Sequence, residues 1–191
     1  FDSLCLGDLG FDPGRIQTFK DGVRDLDELS PTGLLKSEHF LHLRCEVPAA
    51  DTLESAEPMV GHRLVRLVSL MDHSPGVGQY ANVEFYKKLR MSAGRTLEQV
   101  EARIAQLLEQ RARLRDPNRK ALLAMFRDQD VPIASHDDRL EEEVAANAAD
   151  GITISEFPVS IVAAKAAKQA GMTVIAGAPN LVRGGSHTGN V

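Results

Sequence analysis

Several short apolar runs in this chain end on side chains that bind metals or move protons. Glu46 follows Leu41-His42-Leu43-Arg44-Cys45, and Asp72 with His73 follows Leu67-Val68-Ser69-Leu70-Met71. His136, Asp137 and Asp138 follow Ile133-Ala134-Ser135, and Glu156 follows Thr153-Ile154-Ser155. Imidazoles and carboxylates delivered from separate segments suit Zn²⁺, Mn²⁺ or Fe²⁺. Each also has a plainer use. Asp138, three residues before Glu141, reads as the N-cap of a helix in a capping box. Glu156, beside Pro158, reads as a cap of the next helix. His39, His42 and His62 read as packing within strands and helices.

A different chemistry is written after Val174-Ile175-Ala176-Gly177. Ala178-Pro179-Asn180 leads there into Arg183-Gly184-Gly185-Ser186-His187-Thr188-Gly189-Asn190. Glycines let a backbone approach a ligand closely. Arg183 offers a two-pronged cation, and Ser186, His187 and Thr188 offer donors. That set suits phosphate or phosphonate oxygens. A Walker A loop is excluded, because its Gly-Lys-Ser/Thr ending is missing.

The elements that must position these groups alternate. Strands are expected at Phe1–Leu6, Phe40–Val47, Val65–Met71, Val131–Ser135, Ile152–Phe157 and Thr173–Gly177. Helical patterns fill the intervals, which predicts an α/β chain with a parallel sheet of about six strands. Sites in such folds collect at the C-terminal ends of the strands, where the residues above lie. Thr96 with Gln99 predicts a capping box, Asp116-Pro117 a further helix start, and Gly151 and Gly171 helix stops. Residues 74–130 thus read as a long helical insertion. Six strands are too few for a standard eight-stranded barrel and enough for a doubly wound open sheet. Periodicity does not separate the two.

Bulk properties narrow the partners. The net charge of −5 disfavours a nucleic-acid partner held by a basic face. No apolar run reaches the ~20 residues of a membrane helix, so no membrane association is expected. Two cysteines, Cys5 and Cys45, sit in apolar runs outside any metal or disulfide spacing, and with no leader pattern the expected location is cytoplasmic. Phe1 reads as mid-strand and Val191 follows directly on the glycine-rich loop, so both ends read as cut.

Four stretches together resemble one family: Leu70-Met71-Asp72-His73-Ser74-Pro75-Gly76, Ser135-His136-Asp137-Asp138, Glu156-Phe157-Pro158, and Gly177 through Val191. They are similar to the PhnM family, the phosphonate-metabolism branch of the amidohydrolase superfamily, and the last stretch is the most specific. The resemblance implies a metal-dependent (β/α)₈ TIM barrel, of which residues 1–191 would form a part that lacks the first and last strands. It implies hydrolysis of α-D-ribose 1-methylphosphonate 5-triphosphate to the 5-phosphate and pyrophosphate, in the breakdown of organic phosphonates by carbon–phosphorus bond cleavage.

It also implies a site with one or two divalent ions, Zn²⁺ first and Mn²⁺ or Fe²⁺ as alternatives. The expected ligands are Glu46, His73 and His136, with Glu46 in place of the superfamily's bridging lysine. The superfamily's opening His-x-His pair and closing Asp are not found; that Asp, the general base, is expected outside this chain. Asn180, Arg183, Gly185, Ser186 and His187 are the expected substrate contacts. Unpaired strand edges make a homo-oligomer, or membership of a longer chain, an expectation. Two other readings are an amidohydrolase acting on C–N bonds of a cyclic amide or aminated ring, and a non-catalytic module that binds a phosphorylated ligand.

Overall fold

A computed structural model describes residues 1–10 and 14–185. Its six strands are β1 (Asp2–Leu6), β2 (Leu41–Glu46), β3 (Val65–Met71), β4 (Ile133–His136), β5 (Ile154–Glu156) and β6 (Thr173–Ile175). Every pairing is parallel, and the order across the sheet is that of the sequence. A doubly wound sheet needs a point where the strand order reverses. This sheet has none, so that alternative is overturned.

Side chains alternate across a strand, so the two faces can be read separately. Leu6, Leu41, Leu43, Cys45, Val65, Val68 and Leu70 lie on one face, in a core shared with residues of the helices α1 (Arg15–Leu29), α2 (Thr52–Ala56), α4 (Leu97–Arg127), α5 (Glu141–Ala149) and α6 (Ile161–Gln169). Phe19, Leu122, Phe126, Val144 and Ala167 are among those helical residues. Right-handed crossovers that always advance in one direction place their helices on the same side. The opposite face carries His42, Arg44 and Glu46 on β2, Ser69 on β3, His136 on β4 and Glu156 on β5. Register confirms the row: Arg44 lies opposite Ser69, and His136 opposite Glu156.

The excursion between β3 and β4 holds α3 (Val83–Ser92) and α4. α4 begins at the expected capping box of Thr96 and Gln99. It then runs for 31 residues with Pro117 in its interior, so the reading of Asp116-Pro117 as a separate helix start is corrected. A proline there lacks the N–H that would bond to Arg113, and burial on both sides offsets the loss. Leu107 is buried before it, and Leu122, Leu123 and Phe126 after it. α4 also reaches the loops beyond three strands. Arg103 donates to the Leu9 carbonyl, Gln110 to that of Pro48, Asn118 to those of Val47 and Ala49, and Arg111 to Asp72. The insertion is therefore fastened to the strand-end rim. No helix among the described residues is long and apolar enough to cross a membrane.

Candidate metal centre

Two histidines meet at this rim, each held from behind by a carboxylate. His73 donates Nδ1–H to Glu46 Oε2 at 2.7 Å, and its backbone N–H donates to Glu46 Oε1 at 2.8 Å. His136 donates Nδ1–H to Glu156 Oε2 at 2.7 Å. A carboxylate only accepts, so both imidazoles carry a proton on Nδ1, and each neutral ring presents its Nε2 lone pair forward. Both lone pairs face Asp137: His136 Nε2 lies 3.6 Å from Oδ1, and His73 Nε2 lies 3.9 Å from Oδ2. His73, His136 and Asp137 bring their donor atoms within 4.8 Å of one another.

Local backbone geometry aims Asp137. It follows the last residue of β4 with φ of 57°, and Phe157 after β5 repeats the turn with φ of 56°. Aspartate tolerates this left-handed conformation better than most residues. The chain over it must give way as well: a Cβ on Gly78 would stand 2.9 Å from that of Asp137. Gly78 itself has φ of 49°, so glycine is required there on both counts.

The carboxylates are deeply buried: Glu46 is 0%, Glu156 5% and Asp137 8% exposed. Burial opposes a charge on His73, but the Glu46 charge and hydrogen bond outweigh it and raise its pKa above the ordinary histidine value. Burial likewise pushes Glu156 upward, yet the bonds and charges of His136, His42 and Ser69 hold it below the usual carboxylate range. Behind Glu156 runs a directed hydrogen-bond chain. Ser69 Oγ donates to Glu156 Oε2 at 2.8 Å, so it accepts from His42 Nε2–H at 2.6 Å. In the neutral ring His42 Nδ1 then accepts from Ser3 Oγ at 3.0 Å. Burial drives its pKa down to about 4.

No family model matches the chain, and no solved structure gives a significant match. One curated protein does. Over all 191 residues the chain is 40% identical to the alpha-D-ribose 1-methylphosphonate 5-triphosphate diphosphatase of Escherichia coli (strain K12), and it spans 50% of that protein's length. The resemblance to the PhnM diphosphatases is borne out.

The structure brings Glu46, His73 and His136 together, but both Glu46 oxygens are engaged by His73, so it stands behind the imidazole rather than beside the donor cluster. Asp137 takes the third place in that cluster. Its type and position were visible in the sequence; the turn that aims it was not. Asp138 is not the helix cap. α5 starts at Glu141, and Glu143 accepts from the N–H groups of Arg139 and Leu140. Asp138 instead accepts from Ser135, Ser155 and Asn147, tying β4 and β5 to α5, and burial raises its pKa against the hydroxyl donors. Nor is Glu156 a helix cap, since Ser160 fills that role for α6. Asn180 and Arg183 lie on the short α7 (Ala178–Arg183). They bond to each other at 2.8 Å, and among the described residues nothing links them to the histidine pair. Gly185 follows, its N–H donating to the Asn180 carbonyl. Ser186 and His187 lie outside the described residues.

Proposed function

We propose that this chain contributes the strand-end half of a divalent-metal site in a (β/α)₈ hydrolase with its relative's activity. The substrate would be α-D-ribose 1-methylphosphonate 5-triphosphate, and the products its 5-phosphate and pyrophosphate. A sheet wound in one direction with helices on one face supports the barrel, since that is how such a sheet curls toward closure.

The observation that carries the metal is the pairing of each forward-facing Nε2 with a carboxylate behind it. That arrangement recurs where histidine binds metal, because it fixes both tautomer and ring orientation. The Asp137 carboxylate stands 3.6 Å from one imidazole Nε2 and 3.9 Å from the other, so the three side chains would be able to hold one cation between them. Charge agrees. With both imidazoles neutral, Glu46, Glu156 and Asp137 against Arg44, the one cation among the described residues lining the centre, leave two negative charges, which one divalent ion would balance. His73, His136 and Asp137 are the proposed ligands, and Zn²⁺, Mn²⁺ and Fe²⁺ all suit this set. A bound cation there supplies an acidified water and polarises a phosphoryl oxygen. The chain's own part is to orient the imidazoles through Glu46 and Glu156 and to fix Asp137 under Gly78. In the net reaction a water oxygen bonds to the α-phosphorus. The bond from that phosphorus to its bridging oxygen breaks, and pyrophosphate leaves with the electron pair. The glycine-rich stretch from Arg183 is proposed to meet phosphate or phosphonate oxygens. A cytoplasmic location accords with this metabolic role.

The test is pyrophosphate release from the ribose triphosphate by the full-length protein loaded with each metal in turn. Ammonia release from cyclic amides serves as the competing assay. Release of pyrophosphate that chelation abolishes is expected. Ammonia without pyrophosphate would move the protein to the C–N hydrolases.

A further inference from the structure

Among the described strand residues that line the site, Arg44 is the one cation on the polar face of the sheet. Its Nε is buried without a hydrogen-bond partner. Among the described residues no carboxylate forms an ion pair with it. Its Nη2 donates to His136 Nε2 at 3.3 Å, a long bond to the very lone pair that faces Asp137. Arg44 as a whole is half-buried, yet its Nε is fully buried, and a buried polar group left unpaired in a folded protein calls for a reason. The polar face supplies none: Glu46 is taken by His73, and Glu156 by His136 and Ser69.

We infer that Arg44 is a substrate-binding residue, its guanidinium receiving an oxygen of the phosphoryl group that lies at the His73–His136–Asp137 centre. The inference rests on the metal-site reading above. Once His136 Nε2 is committed to a cation, the Nη2–H has no acceptor, and Nε–H has none already. Two N–H groups of one guanidinium then turn to a ligand beside that cation. Arginine's planar fork matches the geometry of phosphate and phosphonate oxygens, and a charge-assisted bond is the strong kind. The same fork places positive charge where the equatorial oxygens of a phosphoryl group gain negative charge as the bond breaks. Arg183 lies after the sixth strand, and its guanidinium donates to Asn180.

The test uses the full-length, metal-loaded protein with Arg44→Met and Arg44→Gln. Three quantities are measured for each: bound metal, affinity for inorganic pyrophosphate by calorimetry, and kcat/KM for pyrophosphate release. Expected are unchanged metal content, pyrophosphate binding weakened at least 10-fold, and kcat/KM reduced on the order of 100-fold. Wild-type pyrophosphate affinity in either folded variant overturns the inference. So does loss of metal in parallel with loss of pyrophosphate, since Arg44 would then act only by holding His136. Failure of both variants to fold would overturn it in favour of a structural role. A wild-type protein that binds pyrophosphate through Arg44 yet hydrolyses no triphosphate would sink the hydrolase reading and leave the Arg44 inference standing.

Discussion

At the residue scale, the centre depends on groups that never face a ligand. Glu46 and Glu156 hold the Nδ1–H of their histidines, and without them the rings are free to turn and to move the proton to Nε2. Glu46→Ala and Glu156→Ala should each weaken metal affinity about 10- to 100-fold. Competition with a chromogenic chelator measures this; affinity unchanged in both would remove the orienting role. His42 gives a pH signature. Its folded pKa of about 4 lies below the ordinary 6.5, so between these values the unfolded chain binds the extra proton. Stability from this group is present above pH 6.5 and drains away as pH falls toward 4, by about 3 kcal/mol at most. His42→Gln keeps a donor for Ser69 and cannot titrate. Its urea midpoint should fall less between pH 7 and 4.5 than the wild type's. Parallel curves for the two proteins would refute the assignment.

At the scale of elements, α4 is the member that joins the insertion to the site. Asn118, on the turn after Pro117, spans the Val47 and Ala49 carbonyls at 2.9 Å each, directly beyond Glu46. Asn118→Ala leaves both carbonyls unpaired in a buried place and should cost about 2–3 kcal/mol. Equilibrium denaturation gives the value, and a loss under ~0.5 kcal/mol would show the contact to be idle. Arg111 pairs with Asp72 at 2.7 Å, next to His73, so α4 braces the loops bearing both Glu46 and His73. The capping box at Thr96 was legible because its partners are three residues apart. The helix's continuation through Pro117 was not, because what overrides a proline is burial against distant strands.

At the scale of the whole molecule, the six strands form one sheet with an apolar face under helices and a polar face bearing the centre. A divalent ion that binds only the folded arrangement stabilises it by mass action, about 2.7 kcal/mol at a hundredfold excess over Kd. For a chain of this size that corresponds to roughly 5–10 °C in Tm. Dialysis against a chelator should lower Tm by this amount and readdition should restore it. Identical melting with and without metal would argue that nothing binds at His73, His136 and Asp137. Among the described residues β1 and β6 each have one unpaired edge, which keeps association through those edges an expectation.

The sequence alone determined what depends on near neighbours. Apolar runs bounded by glycine and polar residues marked all six strands, and helical periodicity between them predicted the parallel sheet. The chemistry-bearing residues were found at strand ends, because a chain leaving a buried sheet must change from apolar to polar there. Tertiary structure decided how those residues divide their labour. Glu46 and Glu156 differ little in sequence from any strand-end carboxylate; register across β2, β3, β4 and β5 sets each behind a histidine. His42, read as packing, became part of a polar chain because Ser3 stands opposite it on β1 and Ser69 lies diagonally across on β3, two residues beyond its partner Leu67. Asp137 and Asp138 are adjacent and alike in sequence. One left-handed turn sends the first into the centre and leaves the second clamping two strands to a helix, and that turn is stable only because Gly78, 59 residues earlier, lacks a side chain.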